Sequence, residues 1–307
     1  MYLVAFIKHK KQLTSIPTHF NKTRIAPTPS GFLHVGNILS FAVTAGLARK
    51  HGAKILLRID DLDRARVNRE YLTDIFDTLR FLEIPWDEGP QDADDFETRF
   101  SQIHRMHLYN EALDQLAAGG FVFACTCSRK QMSEIGSCTC SDKQIPLNNP
   151  EASWRLCTNN AATLQVKSYN GKIIRTQLPA EMENFVVKKK DGFPAYQLTS
   201  VIDDLFYGVD LIVRGEDLWA STLAQIQLAA VLDKQDSNDI VFYHHPLLLE
   251  KDGKKLSKSA GSTSIRYLRQ EGKSAEDVFM LISDLCSLPE KAGNWQELGA
   301  SILRKLS

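Results

Sequence analysis

From Thr23 the chain alternates short apolar runs with amphipathic stretches. A short strand leads into a turn marked by Pro27, Pro29 and Gly31, and then into a largely apolar helix from about Asn37 to Lys50. The run Lys54-Ile55-Leu56-Leu57-Arg58-Ile59 is a compact strand that ends in Asp60, Asp61 and Asp63. Strand, helix and strand in so little chain predict a βαβ unit, hence a parallel sheet with helices on its faces. Ligands of such sheets gather at the carboxyl ends of the strands, where this acidic group falls. Two further stretches keep the helical period. One runs through Tyr71, Leu72, Ile75, Phe76, Leu79 and Leu82, the other through Phe100, Ile103, Leu113 and Leu116. Both are expected to cover the sheet.

The pattern changes after Phe121-Val122-Phe123-Ala124. A cysteine cluster, a polar loop through Asn148, Asn149 and Pro150, and short strand-like pieces run to about Lys190 and read as an insertion. The α/β alternation resumes with Leu211-Ile212-Val213, ending at Arg214. A helix over Leu223, Ile226, Ala229 and Leu232 and a strand Ile240-Val241-Phe242-Tyr243 follow. The expected fold is therefore α/β, a Rossmann-type doubly wound parallel sheet split by a zinc-binding insertion, with a small C-terminal helical and loop segment. The expected division is an N-terminal extension (1–22), a first half-domain (23–120), the insertion (121–190), a second half-domain (191–244) and a C-terminal segment with a basic loop (245–307). No internal repeat or low-complexity tract interrupts it.

Composition narrows the reading. With 307 residues, 43% of them hydrophobic, the chain can bury one large core or two modest ones. Lys+Arg and Asp+Glu both total 37, so no global field advertises a nucleic-acid partner, and RNA would need a local patch. The apolar run Met1 to Ile7 precedes Lys8, Lys10 and Lys11, the reverse of a secretory signal, and no run approaches a membrane span. A cytoplasmic monomer without membrane contact is expected.

Six cysteines in a reducing compartment are not read as disulfides. Cys125, Cys127, Cys138 and Cys140 form C-x-C, ten residues, C-x-C, and two such pairs on a short loop can close a tetrahedral Zn²⁺ site. The alternative, four reduced core thiols, lacks a core to fill in so polar a segment. Cys157 and Cys286 read as ordinary buried residues.

Two segments carry candidate chemistry. Arg24 to Asn37 runs from a strand end into a helix start, where free backbone N–H groups and the helix dipole favour anions such as a triphosphate. Gly31 and Gly36 would allow close backbone approach, and His34 and Asn37 are spaced to face one ligand. For His34 alone, a capped helix start after a Pro-rich turn is the simpler reading. The second segment, Gly253-Lys254-Lys255-Leu256-Ser257-Lys258-Ser259, could lay ammonium groups on phosphates, although taken alone the simpler reading is a solvated charge run. Together, flanking a split βαβ sheet, the two are far more specific than either.

At this point the chain resembles the class I aminoacyl-tRNA synthetases with their HIGH and KMSKS signatures, and the glutamyl members in particular. The likeness rests on Arg24 to Asn37, Leu57 to Asp63, Asp191 to Leu198 with Val201 to Asp204, Ile212 to Leu218, and the lysine-rich segment. It implies that glutamate and ATP form glutamyl adenylate, whose glutamyl group passes to RNA. It further implies that Arg24, Ala26 and Thr28 line the glutamate pocket, that Asp60 meets the amino group, and that Tyr196 and Arg214 hold carboxylates. His34, Gly36, Asn37, Lys255 and Lys258 would serve ATP, with His34 and the two lysines acting in the chemical step and Mg²⁺ accompanying the nucleotide.

Fewer than fifty residues follow Ser259, where a full-length glutamyl enzyme carries an anticodon-reading domain of ~100 residues or more. The resemblance is thus to a short branch of the family without that domain, which implies transfer to queuosine at the wobble position of aspartate tRNA. Lys188, Lys189, Lys190, Lys251, Lys254, Arg266 and Arg269 are candidates for the RNA-facing surface. Several positions depart from the pattern: Asp60 stands where the branch has Glu, Thr28 for Ser and Cys138 for Tyr, while Asn37 replaces the last His of HIGH, as it often does in glutamyl members. Charging of an RNA 3′ end is the first alternative. A non-enzymatic RNA-binding relative is the second, and it would be expected to have lost His34, Lys255 or Lys258.

Overall fold

The computed structural model describes residues 19–128, 130–132, 138–248 and 263–304. In chain order its strands are β1 (Lys22–Ile25), β2 (Lys54–Leu57), β3 (Val122–Cys125), β4 (Ser153–Leu156), β5 (Leu164–Ser168), β6 (Ile173–Thr176), β7 (Val186–Lys188), β8 (Leu211–Gly215) and β9 (Val241–His245). The main helices are α1 (Val35–His51), α2 (Arg69–Phe81), α3 (Met106–Ala118), α4 (Tyr196–Phe206), α5 (Trp219–Val231), α6 (Ile265–Gln270), α7 (Ala275–Leu285) and α8 (Trp295–Arg304).

The central sheet has the order β2-β1-β8-β9-β5-β6, and its strands β2, β1, β8 and β9 are buried on both faces because their residues alternate between two cores. Ile55, Leu57, Leu211, Val213, Val241 and Tyr243 point into one core with α1, α2 and the C-terminal helices. Their neighbours Leu56, Ile212 and Phe242 point into the other, with α3, α4 and α5. Strands β2, β1, β8, β9 and β5 pair in parallel, while β6 returns antiparallel at the edge. The sheet is thus mixed rather than wholly parallel. Segment 121–190 divides: β3, β4 and β7 form their own antiparallel sheet, and β5 and β6 extend the central one beside β9.

The C-terminal helices are part of the first core. A Cβ at Gly46 of α1 would lie 3.2 Å from the Gly299 backbone, and one at Gly299 of α8 would lie 2.9 Å from the Ala42 carbonyl oxygen. Two facing glycines let these helices meet backbone to backbone. One expected helix differs. The Phe100 to Leu116 stripe is α-helical only from Met106, after a π turn ending at Phe100 and a 3-10 turn over Gln102–Arg105, and Ile103 is exposed. Before it, tight turns bury Ser101, Gln102 and Arg105, because the Ser101 side chain binds Asp61 and those of Gln102 and Arg105 bind Asp203. Among the described residues, no helix is long and apolar enough to cross a membrane.

Candidate active site

The carboxyl ends of β1, β2 and β8 and the start of α1 converge, as the parallel topology requires. His34 is the N-cap of α1: its Nδ1 accepts the Gly36 N–H at 3.1 Å, and Asn37 Oδ1 accepts the His34 N–H at 3.0 Å. A Cβ at Gly36 would sit 2.9 Å from the His34 ring, so the glycine lets the imidazole fold over its own helix start. Gly31 has no such neighbour; a Cβ there would meet nothing within 4 Å among the described residues. The capped helix and the candidate phosphate contact are thus the same residues.

Behind this start lies a buried ionic cluster. Arg58 grips Asp60 through both nitrogens of its fork, Nε to Oδ1 at 2.8 Å and Nη2 to Oδ2 at 3.0 Å, and its Nη1 reaches Asp204 Oδ1 at 2.7 Å. Arg24 donates to the same Asp204 oxygen at 3.2 Å and to the Val213 carbonyl at 3.2 Å. Burial pushes the Asp60 carboxyl above its usual range although Arg58 pulls against it. Arg214, at the end of β8, is the exception. Its Nη1 donates to Gln225 Oε1 at 2.9 Å and Thr222 Oγ1 at 3.3 Å, both neutral, while Nε and Nη2 have no partner among the described residues. Burial, with the Arg24 and Arg58 charges, outweighs the favourable Tyr196 and Asp204 and lowers Arg214 to about 10. Three guanidiniums face two carboxylates in this described cluster, so one positive charge is unmatched.

His244 adds no second cation. Burial and the nearby Arg214 bring its imidazole down to about 3, and the neutral ring shares a 2.9 Å hydrogen bond with Thr222.

Above the cluster opens a cavity of about 820 Å³, whose lining includes Thr28, Asp60 and Tyr196. Arg24 and Arg214 are buried, Ala26 is half-buried, and Thr28 and Tyr196 are exposed. Lys255 and Lys258, with Lys251 and Lys254, lie outside the described residues. Of the expected RNA-facing residues, Lys189 and Lys190 line the cavity, and Lys188 stacks 4.4 Å over the Trp154 ring. Arg266 and Arg269 are instead paired with Glu70 and Asp74.

The cavity's far wall includes Cys127 and Ser128, so the cysteine cluster adjoins the site. The Cys125, Cys127, Cys138 and Cys140 sulfurs lie within 4.8 Å of one another, with 3.4 Å between Cys125 and Cys138, 3.5 Å between Cys127 and Cys140 and 3.8 Å between Cys127 and Cys138. Tetrahedral arms of ~2.3 Å would set sulfurs ~3.8 Å apart, so this donor set could hold a metal ion of the zinc kind. Cys157 is exposed and Cys286 half-buried, against the expectation that both are buried.

Arg58, Asp204, Thr222 and Gln225 carry no predicted role from the sequence, yet they shape the cluster. A signal exists for the first two: an arginine inside an apolar strand run and an aspartate pair within an apolar helical stretch need buried partners. Nothing marks the neutral pair.

Comparison with known proteins finds relatives for this geometry. The model of the family described as tRNA synthetases class I (E and Q), catalytic domain, matches residues 21–295. A glutamyl-Q tRNA(Asp) synthetase of Symbiobacterium thermophilum is 35% identical over 287 residues, covering 87% of this chain and 88% of its own. Glutamate–tRNA ligase 1 of Nitrosococcus oceani is 29% identical over 262 residues, and the chain spans 53% of that relative's length. A glutamate-tRNA synthetase structure from Elizabethkingia anophelis shares the fold with a TM-score of 0.70 at 18% identity, over 91% of this chain and 65% of that one.

Proposed function

The chain belongs to the class I tRNA synthetases (E and Q) through their catalytic domain, and from that premise we propose that it activates L-glutamate with ATP and passes the glutamyl group to queuosine at the wobble position of aspartate tRNA. One observation carries the choice of glutamate: the buried positive charge left on Arg214. Glutamate brings two carboxylates and one ammonium, a net single negative charge, which closes the cluster. Glutamine brings none and would leave a desolvated guanidinium unmatched, the arrangement that discriminates most strongly between close analogues. An arginine fork suits this task because it can take a carboxylate by two parallel hydrogen bonds.

In this reading Arg24, Ala26 and Thr28 shape the glutamate pocket, and Tyr196 and Arg214 hold carboxylate oxygens. Asp60, fixed by Arg58, receives the ammonium. The glutamate α-carboxylate attacks the α-phosphorus of ATP, the bond to the leaving oxygen breaks, and pyrophosphate departs. The start of α1 turns the positive end of its dipole, with the His34 ring and the Asn37 side-chain amide beside Gly36, toward the phosphates, and Lys255 and Lys258 neutralise the charge that builds on them. Mg²⁺ would supply further charge neutralisation on the triphosphate. A hydroxyl of the acceptor then attacks the glutamyl carbonyl, AMP leaves, and the hydroxyl proton is lost to solvent or phosphate. The four cysteines would hold Zn²⁺ as a structural ion.

Queuosine as acceptor is supported by the relative at 35% identity, which carries that activity in its name. Charging of a tRNA 3′ end is the second reading, favoured by relatives named as glutamate–tRNA ligases at 29% to 32% identity. Aspartate tRNA bearing queuosine or guanosine at the wobble position, each with either an intact or a 2′,3′-dideoxy terminal adenosine, separates the two. Radiolabelled glutamate should reach only the queuosine form. Transfer that needs the terminal hydroxyls and ignores queuosine would replace this proposal with 3′-end charging.

A further inference from the structure

A second cavity, of about 360 Å³, lies between α2 and α6 and is lined by charged side chains. Its lining sets Arg69, Arg266 and Arg269 against Glu70, Asp74 and Asp77. Arg266 Nη1 meets Glu70 Oε1 at 2.5 Å, Arg269 pairs with the nearly fully buried Asp74, and Asp74 also accepts from Thr78. Arg69 is turned away to Asp94 and Glu97, so the two helices are tied by the Arg266–Glu70 and Arg269–Asp74 pairs, and the role of this cluster lies in what it holds in place.

What it holds is the segment that carries His34. The Arg266 guanidinium lies 4.6 Å over the Phe32 ring, and Phe32 meets Tyr71 of α2 edge to face at 4.7 Å. The Leu33 carbonyl accepts the Ile265 N–H at 2.8 Å, and His34 pairs with Ser264 as an isolated antiparallel bridge. Residues 32–34 are therefore bound along one edge to the first turn of α6, and α6 is bound to α2 by Arg269 and Asp74. A shift of α6 moves the N-cap of α1 with it.

We infer that Arg266, Arg269 and Asp74 are positioning residues for the nucleotide step, acting on His34 and the start of α1 through Phe32 and the Ser264 bridge. The inference rests on the proposed ATP contacts of His34 and Asn37. Misplacement of a reacting group by about 1 Å can slow a reaction on the order of a hundredfold, which is the scale available to a loosened α6.

The test uses the full chain in glutamate-dependent exchange of pyrophosphate into ATP, with ATP affinity measured separately by calorimetry in the absence of glutamate. Arg269→Ala and Arg266→Ala should each lower kcat by about tenfold to a hundredfold and raise the KM for ATP severalfold, with the KM for glutamate within about twofold of wild type. Arg269→Lys, which keeps the charge, should recover most of the loss. Asp74→Asn and Arg269→Ala break a buried pair and could fail to fold. Arg266→Ala breaks only a partly exposed one and decides the matter in that event. A folded Arg266→Ala with wild-type kcat and ATP affinity overturns the inference, as does an equal rise in the KM of both substrates. If the wild type itself shows no glutamate-dependent exchange, the activation proposal falls, while the calorimetric comparison still decides the positioning.

Discussion

Asp203 and Asp204 are neighbours on α4, both buried, yet they belong to two different kinds of cluster. Asp203 accepts from Arg105 Nε at 2.9 Å and Nη2 at 3.0 Å, Tyr109 at 2.6 Å and Gln102 at 3.0 Å. Each of its oxygens is satisfied, and one carboxylate faces one paired guanidinium. Asp204 shares a single oxygen between Arg24 and Arg58 in a cluster that keeps a positive charge on Arg214. Burial and hydrogen bonding are common to both, so neither marks a binding site. What separates scaffold from site is whether the charges close. A closed network fixes geometry, whereas an open one stores a desolvation cost that a ligand of the right charge relieves.

Removing the open charge should give the largest effect on glutamate activation. Arg214→Ala is expected to lower kcat/KM for glutamate by about a thousandfold, the scale for losing a buried charge partner. Its thermal midpoint should stay near or above wild type, because the hydrogen-bond partners lost, Thr222 and Gln225, are neutral. A large fall in stability with near-normal kcat/KM would place Arg214 on the scaffold side instead.

Closing the open cluster from within comes next. Gln225→Glu puts a carboxylate at 2.9 Å from Arg214 without changing side-chain length, and the Gln197 amide that now accepts from Gln225 can rotate to donate. The variant should be more stable and should raise the KM for glutamate by about a hundredfold, since its own carboxylate competes for the arginine. Equal glutamate affinity in the two proteins would refute the idea of a single missing charge.

The cysteine cluster tests whether the far wall of the cavity matters to chemistry at its base. Cys125→Ser with Cys138→Ser should lose one equivalent of zinc by metal analysis and slow transfer to RNA by about tenfold, since ligand and support mutations cost metal affinity or activity on this scale. Pyrophosphate exchange should fall less, because the arginine cluster lies on the other sheet. Loss of exchange equal to the loss of transfer would show that the wall and the base act as one unit.

The smallest effect on activation, with the largest on stability, is expected at the closed cluster. Asp203→Asn should lower unfolding free energy by about 3 kcal/mol while kcat per folded molecule stays within about threefold of wild type. Burial pushes Asp203 up, but hydrogen bonds from Arg105 and Tyr109 and the charges of Arg58 and Arg105 overcome it and hold the carboxyl below its ordinary range. A group depressed in the folded state stabilises above its unfolded pKa of about 3.9, and that stability is lost as pH falls through the folded value. Urea unfolding should therefore show a constant difference between the Asp203→Asn variant and the wild-type protein from neutral pH down to the unfolded pKa, shrinking below it.

Much of the frame is legible in the order of residues. The strands around Ile55, Ile212 and Phe242 announce themselves because apolar β-branched and aromatic runs bounded by polar turns have few other uses. The stripe from Phe100 overstates its helix because a spacing of three or four residues does not reveal that Ser101, Gln102 and Arg105 turn inward to bind carboxylates 40 to 101 positions away in the chain. Residue type alone predicts a buried Cys157, and type is only a tendency.

The split α/β plan, the two signature segments and the pairing of four cysteines are all written in local spacing or in motifs that survive without their surroundings. Family likeness adds Arg24, Asp60 and Arg214 as candidates. Which charges meet is settled by the folded chain alone. Asp204 lies 180 positions from Arg24 and 146 from Arg58, and Arg214 faces the neutral Thr222 and Gln225. Charge balance at a buried site is a sum over groups brought together from distant parts of the chain, with energies that grow as water is excluded, and no local pattern carries that sum.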